Sequence, residues 1–127
     1  MDYTIRNLSS TPDSAPKFGF GDLGEAHFPR EELGATETGM AYHVLKPGRR
    51  SPFGHRHDQA EEVYVVISGD GRMRLDDEIV DITALDAIRV APRVTRAFEA
   101  GPEGLTVLVF GARHESDGEL LHGFWKD

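Results

Sequence analysis

Residues 54–71 read "GHRHDQAEEVYVVISGDG". Two histidines one residue apart are followed by a pair of glutamates, an apolar run and two glycines. Along an extended strand side chains alternate between faces, so His55 and His57 point the same way, about 6–7 Å apart along the chain. Two imidazoles at that spacing converge on one ion from one face, and a carboxylate on the next strand adds a third ligand. Glu62 stands in that place, with "DQAE" (58–61) as the connecting loop. Neutral imidazole and carboxylate suit Fe(II), Mn(II), Ni(II), Zn(II) or Cu(II). On spacing alone, a pair of solvent-facing histidines beside a loop fits equally well.

The apolar run carries a second message. In "EEVYVVIS" (61–68), Glu62, Tyr64 and Val66 share one face, and Val63, Val65 and Ile67 share the other. Both faces are largely apolar, unlike a strand with one wet side. One face lines an interior; the other calls for cover by the N-terminal segment or a second subunit.

Further short strands with turn signals flank this stretch: 40–46, 72–75, 78–82, 87–91, 96–100 and 105–111. "GDG" (69–71) and "GPEG" (101–104) read as strand ends, and Asp76-Asp77 as a tight hairpin. The pattern is that of an all-β sandwich or barrel. The first twenty-odd residues are weakly patterned, and "SSTPDSAPKFGFGDLG" (9–24) carries Ser, Pro and Gly, with Phe18 and Phe20 available to pack it down; "PREELG" (29–34) reads as one helical turn. The division expected is an N-terminal segment, 1–38, packing on the barrel or on a partner subunit, and a barrel with a C-terminal extension, 39–127.

Composition narrows the function. A chain of 127 residues makes one domain with a real core. A net charge of −8 argues against non-specific nucleic-acid binding, which needs a basic face. The absence of cysteine excludes disulfides, thiolate metal sites and a cysteine nucleophile. The start "MDYTIRNLSS" lacks the apolar core of a signal peptide, and no apolar run reaches membrane-spanning length. A cytoplasmic protein with no nucleic-acid or membrane partner is expected.

The 54–71 stretch resembles the first motif of the cupin superfamily, small β-barrels of jelly-roll topology. That motif runs Gly, several residues, His-x-His, three or four residues, Glu, six residues, Gly. Here Gly48 is followed after six residues by His55 (the usual gap is five), then His57, then Glu62 after four, then Gly69 after six. The resemblance implies an all-β double-stranded β-helix with little helix, and a metal held by His55, His57 and Glu62. Glu61 faces away by strand parity.

The second cupin motif supplies a fourth ligand, a histidine, from Pro-x-Gly-x-x-His. In "APRVTRAFEAG" (91–101), aligning Pro92 and Phe98 puts Arg93 at the Gly position and Arg96 at the His position. Arginine stays protonated and offers only donors, so it is no ligand. Three readings follow: a three-ligand site with open positions, as in two-His-one-carboxylate iron oxygenases; a fourth ligand from elsewhere, such as His43 or His114; or a barrel without metal that binds an anionic organic ligand through Arg96. His43 lies on a predicted strand and is the better placed of the two, while His27, His114 and His122 fall in poorly patterned stretches. Tyr64 and Phe98 are further candidates to line a ligand cavity, and Phe53 to guard its mouth.

The resemblance thus implies a small cupin that binds one divalent transition metal (Fe, Mn, Ni, Zn or Cu) and, beside it, a small anionic organic ligand. Oxygenase, isomerase or decarboxylase chemistry is one outcome. A metal-free, non-catalytic sensor with Arg96 as anion anchor is the other. The outward-facing Val63, Val65 and Ile67, together with the habit of cupins to pair, suggest a homodimer.

Overall fold

Alternation at 62–66 is realised in a long strand that runs well past the glycines expected to end it. The computed structural model describes residues 1–112 and 117–125. Its strands are β1 (Gly24–His27), β2 (Thr38–Leu45), β3 (Phe53–His57), β4 (Glu62–Leu75), β5 (Glu78–Thr83), β6 (Ala87–Val90), β7 (Arg96–Ala112) and β8 (Gly118–His122). One helical turn, α1 (Arg30–Leu33), closes on Gly34 in the left-handed conformation, as its sequence predicts. Two short 3₁₀ turns precede β1. No helix among the described residues is long and apolar enough to cross a membrane.

β4 and β7 pair antiparallel along most of their length and pass through both layers of the fold. In one layer the order is β1, β2, the second half of β7, the first half of β4, then β6. In the other it is β8, β3, the first half of β7, the second half of β4, then β5. This is a double-stranded β-helix. "GDG" and "GPEG" are therefore corners, a correction to their reading as strand ends. The register slips between Val66 and Ser68 and again between Gly69 and Gly71, which bends the pair from one layer into the other. Gly69 takes φ +79°, and a Cβ there would collide with the Gly104 carbonyl, so the bend needs glycine. Asp76 takes φ +52° in the expected hairpin between Leu75 and Glu78.

Inward-facing residues of both layers form the core. Tyr64, Val66, Met73, Leu105, Val107 and Val109 are buried, with Ala41, Ile82 and Val90 around them. Each large side chain in this set contributes about 1.5–3 kcal/mol of burial energy. On the outer side of β4, Val63 stands opposite Phe110 and Val65 opposite Leu108. Ile67 and Phe110 there remain exposed, at 41% and 37%.

The N-terminal segment runs along a different place, the edge of β1 away from β2. Ser14 N–H donates to the Ala26 carbonyl at 2.7 Å, and buried His27 meets Thr11 Oγ1 at 3.1 Å. This segment also supplies β1 itself, which pairs with β2. Of the two phenylalanines expected to anchor it, Phe20 packs edge-on against Phe53, whereas Phe18 is exposed.

Candidate metal centre

β3 presents His55 and His57 on its inward face and is held on both edges. His55 lies opposite Arg96 of β7, and residues 53–57 pair with 118–122 of β8. Glu62 opens β4 after a four-residue link. That link is tied down by Asp117, whose Oδ1 accepts from Asp58 N–H (3.0 Å) and Gln59 N–H (2.9 Å) and whose Oδ2 accepts from Ala60 N–H (3.0 Å).

The geometry brings the three expected ligands together. Donor atoms of His55, His57 and Glu62 all lie within 4.8 Å of one another. Glu62 Oε1 is 3.2 Å from His57 Nε2 and 3.6 Å from His55 Nε2. Ligands about 2.1 Å from a metal stand about 3.0–3.5 Å apart at right or tetrahedral angles, so the 3.2 Å separation matches a shared ion and the 3.6 Å separation lies just beyond that range. Both ring nitrogens of His57 are buried without a hydrogen-bond partner. A buried polar atom without a partner calls for an explanation, and an ion is one. The donor set therefore fits a divalent transition metal. A second group outside the barrel, Asp13, Glu25 and His27, has its atoms engaged: Asp13 Oδ1 accepts from Ala15 and Ala26 N–H, and His27 Nε2 meets Glu25 Oε1 at 2.8 Å.

Glu62 Oε1 is the hub of the site. Tyr64 OH donates to it at 2.7 Å and lies 3.3 Å from His55 Nε2. Burial alone would raise the Glu62 pKa, but His55, His57 and Tyr64 hold the carboxyl far below the usual range. Burial, reinforced by the charge of Glu62, pushes the Tyr64 phenol well up, so it stays a donor.

Arg96 lies behind this hub and is completely buried. Its Nε donates to Tyr64 OH (3.0 Å), and its Nη1 to the carbonyls of Pro92 (3.1 Å) and Val94 (2.6 Å). Nη2 has no hydrogen bond and sits 3.4 Å from Glu62 Oε1. The guanidinium shows no exposed surface through which to meet a ligand in this conformation. Arg93, at the motif's glycine position, faces solvent and pairs with Asp58 at 2.6 Å. Glu61 faces outward, 3.2 Å from Arg89.

Among the other expected lining residues, Phe98 packs on Tyr64 with ring centroids 5.2 Å apart. His43 shares the inward face of β2 with Ala41 and Leu45, half-buried and edge-on to Phe28 at 5.6 Å. Its pKa is lowered to about 4 by burial, then by the neighbouring His55, so it is neutral at physiological pH. His43 is not part of the three-residue cluster. Phe53 sits between Phe20 and His122, 5.9 and 5.8 Å away. His27 belongs to the N-terminal packing, and His114 lies outside the described residues. Asp117 was not among the expected site residues. It lies in "SDGEL" (116–120), which carries no motif, and its partners are 57–59 residues away.

The cupin domain profile matches residues 41–111, more than half of the chain. The chain belongs to the cupin family. Solved cupins share its architecture. A cupin protein from Bacteroides fragilis superposes with a TM-score of 0.72 at 23% identity, covering 91% of this chain and 88% of that one. A Lactobacillus farciminis oxalate decarboxylase in complex with formate gives 0.71 at 22%, covering 94% of this chain but 38% of the longer enzyme. A variant of Streptomyces PAC13 with uridine gives 0.69 at 15%, over 95% and 90%. At these identities the likeness is one of fold. No curated protein matches the sequence. The residues of the first-motif resemblance are brought together, and Arg96, aligned above with the histidine of the second motif, is buried beside Glu62.

Proposed function

We propose that this cupin binds one divalent transition metal through His55, His57 and Glu62 and a small organic anion beside it. The carrying observation is the convergence of three donor atoms within 4.8 Å, one of them a buried imidazole nitrogen with no hydrogen bond. A bound ion would supply Lewis-acid or redox chemistry at its open positions. Tyr64 and Arg96 hold the Glu62 carboxylate from behind, and His43, neutral at physiological pH, lies on the inward face of β2.

Charge favours an anionic ligand. A neutral fourth histidine would leave a divalent ion and one carboxylate; Arg96 makes the site one unit more positive. A small carboxylate meets that field and can bind at the open positions. The oxalate decarboxylase neighbours support this ligand class through fold only. Metal-dependent oxygenase, isomerase or decarboxylase activity on such a ligand is the reaction class we favour.

The contact between Arg96 and Glu62 also supports a second reading, a metal-free binding or sensory cupin, because a cation already stands beside the carboxylate. Elemental analysis of tag-free protein separates the two. About one metal per chain, lost in Glu62→Gln and in His57→Ala, is the expected result. No uptake after addition of Fe, Mn, Ni, Zn or Cu would overturn the metal reading.

A further inference from the structure

We infer that Asp117, on the C-terminal arm, is a positioning residue that sets the orientation and tautomer of His57. The inference rests on the proposed metal site and deepens it. Asp117 lies beyond the matched cupin region and immediately precedes β8. Its Oδ2 is 3.3 Å from His57 Nδ1, the ring nitrogen on the side away from Glu62; the approach is close but short of hydrogen-bond alignment.

A carboxylate is an acceptor only, so beside Nδ1 it favours the tautomer that carries its proton there, while Glu62 Oε1, 3.2 Å from Nε2, draws the proton the other way until an ion takes the Nε2 lone pair. With the proton on Nδ1, that lone pair is aimed at the ligand cluster. Carboxylates placed behind metal-bound histidines act in this way in general.

The same side chain pins the link between two ligands. Three consecutive backbone N–H groups, of Asp58, Gln59 and Ala60, donate to it, which determines where Glu62 emerges relative to His57. The arm carrying it is itself docked. β8 pairs with β3 along its length, and Phe124 fills the space over Gly54, where a Cβ would come within 2.8 Å of its ring. Arg74 stacks on Phe124 in turn, 4.3 Å from the ring centroid. The C-terminal arm is therefore part of the metal centre and not an appendage to it.

Asp117→Asn tests this. The amide oxygen takes the place of Oδ1 between two N–H donors, which leaves the NH₂ group facing His57 Nδ1 and the Ala60 N–H. A donor at that position drives the imidazole proton to Nε2, the nitrogen needed by the metal. Long-range ¹H–¹⁵N spectra of the metal-free Glu62→Ala protein, in which no carboxylate faces Nε2, report the tautomer directly. In that background the expected result is an Nδ1–H tautomer for His57 when Asp117 is kept and Nε2–H after Asp117→Asn. With Glu62 in place, Zn(II) affinity by calorimetry should fall by about 10- to 100-fold in Asp117→Asn. An Nε2–H tautomer in the Glu62→Ala protein that keeps Asp117 overturns the inference, and that measurement stands whether or not Asp117→Asn folds. An affinity loss with the tautomer unchanged also overturns it, leaving Asp117 as a loop anchor alone. If the wild type takes up no metal, the metal reading fails, and the tautomer still decides the role of Asp117.

Discussion

Replacing Arg96 by alanine removes a fully buried cation from beside Glu62 and should both destabilise the metal-free protein and tighten its hold on metal. Nη2 and Glu62 Oε1 are 3.4 Å apart. At an effective dielectric of about 20 this corresponds to about 5 kcal/mol of attraction, offset by the desolvation of both groups. Breaking a buried pair costs about 3–5 kcal/mol, and Glu62 retains some solvent access, with 16% of its side chain exposed, so about 3 is appropriate. The carbonyls of Pro92 and Val94 and the Tyr64 hydroxyl lose their donor, and water entering the space left by the side chain restores part of that. A total near 4 kcal/mol follows. For 127 residues the unfolding entropy is about 0.27 kcal/mol/K, so Tm should fall by about 15 °C in the presence of chelator. Metal should reverse much of this. With the guanidinium gone, the ion no longer competes for Glu62 or meets its repulsion, and Zn(II) affinity should rise at least tenfold, about 1.4 kcal/mol. Thermal unfolding with chelator and with Zn(II), alongside calorimetric titration, reads both effects. A Tm loss under about 3 °C with unchanged or weaker metal binding would refute the placement of Arg96 against the carboxylate. Arg96→His, which restores the family's fourth ligand, should bind metal more tightly than either.

Other expectations follow from single observations. His43 is neutral in the folded protein with a pKa near 4 against 6.5 unfolded, so its contribution to stability is complete above pH 6.5 and is lost as pH falls toward 4. Up to about 3 kcal/mol disappears across that window, and urea titrations of His43→Phe should show a flatter pH dependence than the wild type between those limits. Gly69→Ala places a side chain at φ +79° against the Gly104 carbonyl and should lower stability by more than about 2 kcal/mol, measured by chemical denaturation. Tyr64→Phe removes the hydroxyl that donates to Glu62 at 2.7 Å, and metal affinity should fall or rise by less than tenfold while Tm drops a few degrees; a complete loss of folding would contradict the role given to that hydroxyl. We propose that the outer face bearing Ile67 and Phe110 pairs two copies of this chain; light scattering should give about twice 14.1 kDa, and Phe110→Glu should halve it.

What could be read in advance was whatever is encoded over a few residues. The two-residue period places His55 with His57 and Tyr64 with Glu62 on inward faces, because side-chain direction along a strand depends only on position parity. The Asp76-Asp77 hairpin and the single turn of α1 are equally local, set by which residues tolerate left-handed or capping dihedrals. The first-motif spacing carried the fold and the grouping of His55, His57 and Glu62 for the same reason. Closure of the chain decided the rest. Glycine signals a break in a strand or a bend in one, and only the continuous pairing of β4 with β7 distinguishes them. The burial of Arg96 depends on Pro92, Val94 and Tyr64 surrounding it, which no charge count reveals. Asp117 reaches His57 because β8 pairs with β3, a contact between residues 60 apart in sequence whose energy comes from many backbone bonds along the strand and not from any motif near Asp117 itself. Local dihedral preference specifies where a side chain points; the pairing of distant strands specifies what it points at.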